Sequence, residues 1–300
     1  MENKLLKVRL KKNESFNIRE GWLRKGMKLL PDYPNLFSLD EAMQLLGVGS
    51  KMVKSIKYWL LTTGLVEEKR SKSRTELSIT NDLGNIINQY DPYFEDLFTL
   101  YILHANIASN IDNATVWYLF FNHYNAKIFN KEDMQSVLDN ELKKLLQVDV
   151  TYSENLFKDD CSSVIRMYVD DEDENDPEDN LSSPFSALGL LIKSQTKKGY
   201  FEKIAPKYDK LDRLVVLYIM IRNKNKEKDS VSIEELLTRE NNVGKILNLT
   251  RPILEEYLDQ LKSQGYITIN RTAGLDMVYF KEDITEKKVL IDYYTQEEKL

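Results

Sequence analysis

Two groups of basic residues lie close together in the sequence and suit contacts with phosphate groups. The first group, hereafter the helix lysines, recurs at intervals of three as Lys51, Lys54 and Lys57, which places the three amines along one side of a helix. The second is a polar, basic run over residues 69–74. Ammonium and guanidinium groups neutralise DNA phosphates, so both groups indicate a nucleic-acid-binding surface. The predicted binding residues, with one tyrosine as a base or sugar contact, are Lys51, Lys54, Lys57, Tyr58, Lys69, Arg70, Lys72 and Arg74.

The segment that holds the helix lysines has the pattern of a helix-turn-helix. Ser38 and Glu41 form a capping-box signal for a first helix, which residues 47–49 (Gly-Val-Gly) interrupt. Ser50 is expected to cap a second helix that runs to about Thr62. Its apolar residues share one arc beside the lysines: Met52, Val53, Ile56, Trp59 and Leu60. The second helix of such a motif is the one that a nucleic acid contacts.

The residues on either side of this motif complete a winged helix. Gly64 ends the second helix, residues 65–67 begin an extended segment, and residues 76–80 alternate like a returning strand. Residues 19–30 supply a further amphipathic helix. We therefore expect an N-terminal winged-helix domain over residues 1–90. The alternative is an ordinary helical hairpin with solvated lysines.

Composition and charge exclude several classes of protein. The chain has 300 residues, which is room for about two domains. Its single cysteine excludes a disulfide framework, and with only two histidines the composition disfavours a metal centre. The net charge is −6, yet residues 1–80 carry 16 basic against 9 acidic side chains, which leaves −13 on the remainder. This asymmetry favours a polyanion-binding N-terminal region. With no signal peptide and no membrane-length apolar run, we expect a cytoplasmic protein. We also expect that it needs neither cofactor nor metal.

The middle of the chain, residues 91–200, is predicted to be a helical domain. Residues 93–109, 114–121 and 131–146 have the composition of buried or amphipathic helices, and residues 183–192 suggest a short turn into another buried helix. His104 is interpreted as a hydrogen-bonded core residue rather than a catalytic base. The acidic loop over residues 170–180 is interpreted as a solvated loop, with mimicry of nucleic acid as the alternative.

Residues 201–300 repeat the plan of the N-terminal domain. A helix capped by Thr250 leads into two extended segments, which predicts a second winged helix. Its outer face carries Glu255, Glu256 and Asp259, and phosphates would be repelled there. The expected fold is therefore mainly α with small β wings, in which two winged-helix-like domains flank a helical middle. Only the first of them is expected to bind DNA.

Three motifs are distinctive when taken together. They are Phe16 with Arg19-Glu20-Gly21-Trp22-Leu23 and Lys25-Gly26, Ser183-Pro184-Phe185-Ser186 with Leu188-Gly189-Leu190, and Ala273-Gly274-Leu275-Asp276. With them the chain resembles the bacterial family called domain of unknown function 4007 (DUF4007). The resemblance covers nearly the whole chain and implies an association with prokaryotic anti-phage gene clusters, including DNA phosphorothioation systems, which often encode proteins similar to phosphoadenosine-phosphosulfate reductases. No catalytic residues are established for the family, so none is carried over.

Three functions remain open from the sequence. The first is a DNA-binding accessory or regulatory protein of a defence or DNA-modification system, which would bind duplex DNA and other proteins of that system but no membrane. The second is a non-enzymatic protein–protein scaffold. The third, a metal-dependent nuclease, is the least favoured, because the densest carboxylates fall in a predicted loop rather than on rigid elements. Cys161 follows Asp159 and Asp160 and lacks the positive surroundings of a reactive thiolate. We therefore expect that the protein is not an enzyme.

Overall fold

The structure is a computed structural model that describes residues 8–70, 75–146, 151–170, 182–225, 227–272 and 275–297. The described residues are mainly helical and carry three small antiparallel sheets, so the predicted class of an α protein with small β elements is confirmed. No described helix has the length and apolar character needed to cross a membrane.

The N-terminal third pairs a small helical layer with a β-hairpin. Its elements are α1 (Trp22–Leu29), α2 (Ala42–Leu46), α3 (Ser50–Thr62), β1 (Val66–Arg70), β2 (Thr75–Ile79) and α4 (Leu83–Tyr90). The predicted end of α3 at Thr62 is confirmed, but its N-cap is Gly49 rather than Ser50, which is already the first helical residue. The capping box predicted at Ser38 is wrong, because Leu36–Ser38 forms a separate 3₁₀ turn around the buried Leu36, and α2 begins only at Ala42.

Helix α3 is held by the segment that precedes α1. The indole Nε1 of Trp59 and the hydroxyl of Ser55 both donate to the carbonyl oxygen of Phe16, at 2.9 and 3.1 Å. Trp59 and Ile56 are fully buried. Two hydrogen bonds to one backbone oxygen, together with the buried apolar side, fix the rotation of α3 about its own axis.

The middle of the chain builds most of its core from helices that are buried on nearly every side. Its elements are α5 (Leu97–Ala108), α6 (Thr115–Asn122), β3 (Ile128–Phe129), α7 (Lys131–Leu145), α8 (Glu154–Tyr168), β4 (Leu191–Lys193) and β5 (Phe201–Lys203). The buried helix predicted within residues 183–192 is wrong. A 3₁₀ turn over Pro184–Leu188 ends at Gly189, whose φ is +64°, and the chain continues as β4 against β5. Glycine adopts that left-handed conformation without steric cost.

The last third combines five helices with a three-stranded sheet. Its elements are α9 (Arg213–Arg222), β6 (Ser230–Ser232), α10 (Ile233–Thr238), α11 (Val243–Ile246), α12 (Arg251–Ser263), β7 (Ile267–Thr272), β8 (Leu275–Phe280) and α13 (Glu286–Glu297). The strand order is β6-β8-β7. Ser232 caps α10, because its hydroxyl accepts from the backbone nitrogen of Glu235 at 3.1 Å.

Helix α13 was not expected from the sequence, yet it completes the core beside α4, α5 and α9. The rings of Tyr293 and Phe98 stack with their centroids 3.7 Å apart. The hydroxyls of Tyr294 and Thr99 lie 2.6 Å apart in a buried hydrogen bond. The chain therefore returns to the start of the middle region to close it.

One hydrophobic core cluster includes side chains from all three thirds of the chain. His104 joins the middle and last thirds, since its ring forms hydrogen bonds with the hydroxyl of Tyr168 and the carbonyl oxygen of Ile246, each at 2.8 Å. Burial lowers the pKa of His104 to about 4, so the ring is neutral at neutral pH. This is the core position expected from the sequence. The boundaries 1–90, 91–200 and 201–300 remain predictions.

Candidate nucleic-acid interface

The helix lysines share the solvent side of α3. Lys51 and Lys54 are exposed and Lys57 is partly exposed, with 69% of the Lys54 side chain and 30% of the Lys57 side chain accessible. The opposite side of α3 is the buried one described above. The helix itself contains no acidic residue. The structure therefore brings the three lysines to one surface, as the spacing predicts.

Carboxylates from neighbouring segments pair with part of this surface. Lys57 Nζ lies 3.0 Å from Glu68 of β1, and Lys54 Nζ lies 3.9 Å from Glu14. Lys51 has no ion pair with any described residue. Exposed ion pairs of this kind are weak and are screened by salt, so they reduce the positive potential without removing it. The sequence analysis did not identify these two acidic partners.

The hairpin β1–β2 lies next to α3 and carries the second predicted group. Lys69 pairs with Glu76 across the hairpin in register, and its amine lies 3.6 Å from Glu67. Arg70 ends β1, and only its backbone is described. Lys72 and Arg74 lie outside the described residues, as does the segment 171–181 that holds most of the acidic loop.

Tyr58 is directed away from the lysines. Its hydroxyl donates to the carbonyl oxygen of Asn113 at 2.9 Å, and its ring packs edge-on against Trp59 at 4.8 Å between centroids. Burial raises the pKa of this hydroxyl far above its usual value. The structure thus gives Tyr58 a packing contact between α3 and the loop before α6.

Two further cations lie beside the start of α3. Arg19 and Lys25 line an open cavity of about 590 Å³ together with the Gly47–Gly49 turn. The guanidinium of Arg19 lies 5.5 and 5.6 Å from the ring centroids of Phe16 and Trp22, which orients it. Neither cation is among the binding residues predicted from the sequence. Arg19 and Lys25 extend the basic surface toward α1, although Glu20 lines the same cavity.

Helix α12 offers the opposite electrostatic character, as the sequence suggests. Its outer residues include Glu255, Glu256 and Asp259, of which the last two are exposed. Arg251 pairs with Glu255 at 3.1 Å and with Asp276 at 3.0 Å. Arg251 is therefore engaged by carboxylates, and the face suits phosphates poorly.

Two features of an active site, a metal-binding group and a reactive thiol, are absent from the part of the chain that the structure describes. No group of three acidic, histidine or cysteine side chains there is arranged to hold a metal ion. Cys161 is fully buried, and burial raises the pKa of its thiol well above the usual range. A thiol held in that form is a poor nucleophile.

Comparisons with known proteins give a fold and a family. Two crystal structures of SspB share the fold, with TM-scores of 0.83 and, for a magnesium-bound form, 0.82. Each is 21% identical and covers 97% of this chain and 88% of the SspB chain. No curated protein matches the sequence. A family model described as a protein of unknown function, DUF4007, matches residues 11–294, and the chain therefore belongs to the DUF4007 family.

Proposed function

We propose that this protein binds duplex DNA through an N-terminal winged helix, in which α3 is the recognition helix and the β1–β2 hairpin is the wing. Its role is that of an accessory or regulatory protein in a prokaryotic defence or DNA-modification system. A second winged helix at residues 201–300 braces the middle domain or contacts other proteins.

The exposed row of helix lysines is the observation that carries this proposal. A 13-residue helix is about 20 Å long, and the major groove of B-DNA admits a helix of this width. The bonds from Trp59 and Ser55 to Phe16 keep the lysine side outward before any DNA arrives. Such preorganisation lowers the entropic cost of binding.

Lysines bind phosphates as point charges and carry little base specificity. We therefore expect affinity to depend steeply on salt, because each neutralised phosphate releases condensed counterions. Arg19 and Lys25 would add contacts on the α1 side, and Lys69 on the hairpin side. Together with the helix lysines, these residues would contact the DNA backbone on both edges of one groove.

The test is fluorescence anisotropy with a random-sequence duplex, titrated across salt concentrations. The variant Lys51→Glu/Lys54→Glu/Lys57→Glu should lose binding. The matched control, Lys198→Glu/Lys228→Glu/Lys262→Glu, changes the net charge by the same amount at exposed lysines elsewhere. It should bind nearly as the wild type does.

Two results would contradict the proposal. Equal losses in both triple variants would mean that overall charge, rather than α3, governs binding. No binding of the wild type even at low salt would favour the scaffold function, in which the helix lysines meet an acidic protein. The pairing of Lys54 and Lys57 with glutamates shows that this surface accepts carboxylates.

The DUF4007 resemblance suggests one refinement of the test. The family's association with phosphorothioation-type gene clusters makes a phosphorothioate duplex the natural competitor for the unmodified one. A preference for the modified duplex would support a role in DNA modification, whereas equal affinity would leave a general DNA-binding role.

A metal-dependent nuclease stays the least favoured function, behind the scaffold, and magnesium bound to SspB, a protein of the same fold, is the observation in its favour. The described residues do not supply a three-ligand acidic site, so we derive no metal-dependent step. Incubation of supercoiled plasmid with the protein and MgCl₂ tests this function. Nicking that EDTA abolishes would establish it.

A further inference from the structure

A second basic feature is a cavity of about 400 Å³ that none of the helix lysines lines. The cavity is bounded by the loop after α6, the end of β5, and the region from α11 to the start of α12. Its cations are Lys127, Lys203 and Lys245, and no aspartate or glutamate is among the described residues that line it. We call it the basic cavity.

Lys203 is the most enclosed of these cations. Its amine donates to the carbonyl oxygens of Phe120 and Tyr124, at 3.1 and 3.0 Å, and lies 4.8 Å from the ring centroid of Phe120. An ammonium has three donors, and the described residues supply a partner for only two of them. Burial, with a smaller contribution from nearby Lys245, lowers the pKa of Lys203 to about 7. Near neutral pH the amine is therefore only partly protonated, and it has no carboxylate partner among the described residues.

Lys245 and Lys127 also lack carboxylate partners within the described structure. The amine of Lys245 donates to the side-chain oxygen of Asn125 at 2.7 Å, which is a neutral acceptor. Lys127 is exposed at the rim. The helix lysines differ, since two of the three have acidic partners. The whole protein has a net charge of −6, so three amines without acidic partners in the described part of the chain, all around one cavity, make this region positive in an otherwise acidic protein.

The rest of the wall is largely apolar. Leu237, Leu249 and Ile253 line it together with the ring of Tyr124. Cavities of roughly 300 to 1,000 Å³ with apolar walls and a few convergent polar groups are typical ligand sites. The lining residues of the basic cavity therefore suit a ligand that has a multiply charged anionic group and an apolar or aromatic body.

We propose that the basic cavity binds a small organic phosphate of about the size of a nucleoside monophosphate. The phosphate lies among Lys203, Lys245 and Lys127 and accepts the unused donor of Lys203, while the body of the ligand packs against Leu237 and Ile253. A phosphate monoester carries up to two charges, and it neutralises this set better than a carboxylate would.

Two kinds of ligand present such a phosphate monoester on a nucleoside: a free nucleotide and the phosphorylated 5′ end of a nucleic-acid strand. Isothermal titration calorimetry on the full chain distinguishes them with four probes: AMP, adenosine, and a short oligonucleotide with either a 5′-phosphate or a 5′-hydroxyl. AMP should bind in the micromolar range and adenosine should not. A strand-end site would in addition favour the 5′-phosphorylated oligonucleotide over the 5′-hydroxyl one.

Variants of the cavity lysines assign the site. Lys245→Gln should weaken AMP binding about tenfold or more, as expected for the loss of a charge-assisted hydrogen bond. Lys203→Met should weaken it further, but it also removes the donor to two carbonyl oxygens and endangers folding. The double variant Lys127→Gln/Lys245→Gln leaves those bonds intact and serves if Lys203→Met is unfolded.

Controls separate this site from the proposed DNA surface. Lys198→Gln, at an exposed lysine outside the cavity, should bind AMP like the wild type. The triple variant of the helix lysines should also bind AMP normally, whatever its effect on duplex DNA. The proposal is overturned if AMP and adenosine bind equally, if neither binds at millimolar concentration, or if the double lysine variant retains wild-type affinity.

Discussion

Lys57 of α3 and Glu68 of β1 form an ion pair with a separation of 3.0 Å between amine and carboxylate. The pair joins the proposed recognition helix to the hairpin beside it. It also places a negative charge within the surface that is meant to face phosphates. The balance between these two effects determines what each residue would contribute to the proposed DNA binding.

Replacing Glu68 by Gln should strengthen DNA binding. The change removes a carboxylate that phosphate would repel, and it releases Lys57 for a phosphate contact. We expect an affinity gain of about two- to fivefold at low salt, because exposed pairs of this kind are weak. Anisotropy titration measures it, with Glu256→Gln on α12 as the control that should change nothing. Weaker binding of Glu68→Gln would show that the pair matters mainly for holding the hairpin in place.

Lys51 and Lys57 should differ in their contribution to the salt dependence of binding. Lys51 has no ion pair in the described structure, so Lys51→Gln removes a full phosphate contact and should lower the slope of log affinity against log salt by about 0.9. Lys57→Gln should lower it less, because Glu68 already neutralises part of its charge. The slopes come from anisotropy titrations at four or more salt concentrations. Equal slopes for the two variants would contradict this ordering.

Asp160 should make the stability of the protein fall as pH rises toward neutrality. It is 3% exposed and accepts a hydrogen bond from the backbone nitrogen of Lys11 at 2.9 Å. Burial is the main cause that raises the pKa of Asp160 to about 7. Between roughly pH 4 and pH 7 the folded state therefore binds this proton more tightly than the unfolded state does. Stability from this group is present at low pH and lost as pH rises through about 7.

The variant Asp160→Asn removes the titrating group and keeps an oxygen acceptor. Relative to the wild type, it should gain about 2 to 4 kcal/mol in free energy of unfolding between pH 5 and pH 8. Urea denaturation at the two pH values gives the comparison. Asp159→Asn, on the exposed neighbour that pairs with Lys11, is the control and should show a much smaller pH effect. A pH-independent difference between wild type and Asp160→Asn would contradict the argument.

Gly84 should not tolerate a side chain. A Cβ atom there would overlap the carbonyl oxygen of Leu65 and approach the Ile79 side chain to 2.7 Å, because α4 packs directly on the hairpin. Gly84→Ala should cost about 1 to 3 kcal/mol, the usual range for overpacking. Gly49→Ala is the matched control, since no atom lies within 4 Å of its Cβ position and its φ of −69° suits alanine. Thermal unfolding of both variants measures the difference.

The sequence predicts local elements well where local signals are strong. The end of helix α3 was predicted correctly, because Gly64 follows it and its apolar residues recur at the helical period, whereas the predicted cap at Ser50 lies one residue too late. The strand β4 was mistaken for a helix because three residues are too few to show alternation, and its identity depends on pairing with β5. Helix α13 was missed because its aromatic face is explained only by partners almost 200 residues earlier.

The candidate site could be predicted only in part for a related reason. The three lysines of α3 are close in sequence, so periodicity places them together. Glu14 and Glu68 reach that surface through tertiary packing, which no spacing reveals. The basic cavity gathers lysines from positions 127, 203 and 245, and the chain offers no local pattern that would connect them.

The stacking of Tyr293 on Phe98 has a consequence for how the chain reaches its native state. During synthesis, α5 emerges well before α13, since 195 residues separate Phe98 from Tyr293. Until α13 arrives, the aromatic surface around Phe98 and Tyr90 stays uncovered on a nascent chain. Closing so distant a contact is slow, and exposed apolar surface invites association during the wait. The aromatic surface of α4 and α5 is thus covered only once the last helix of the described chain has been made.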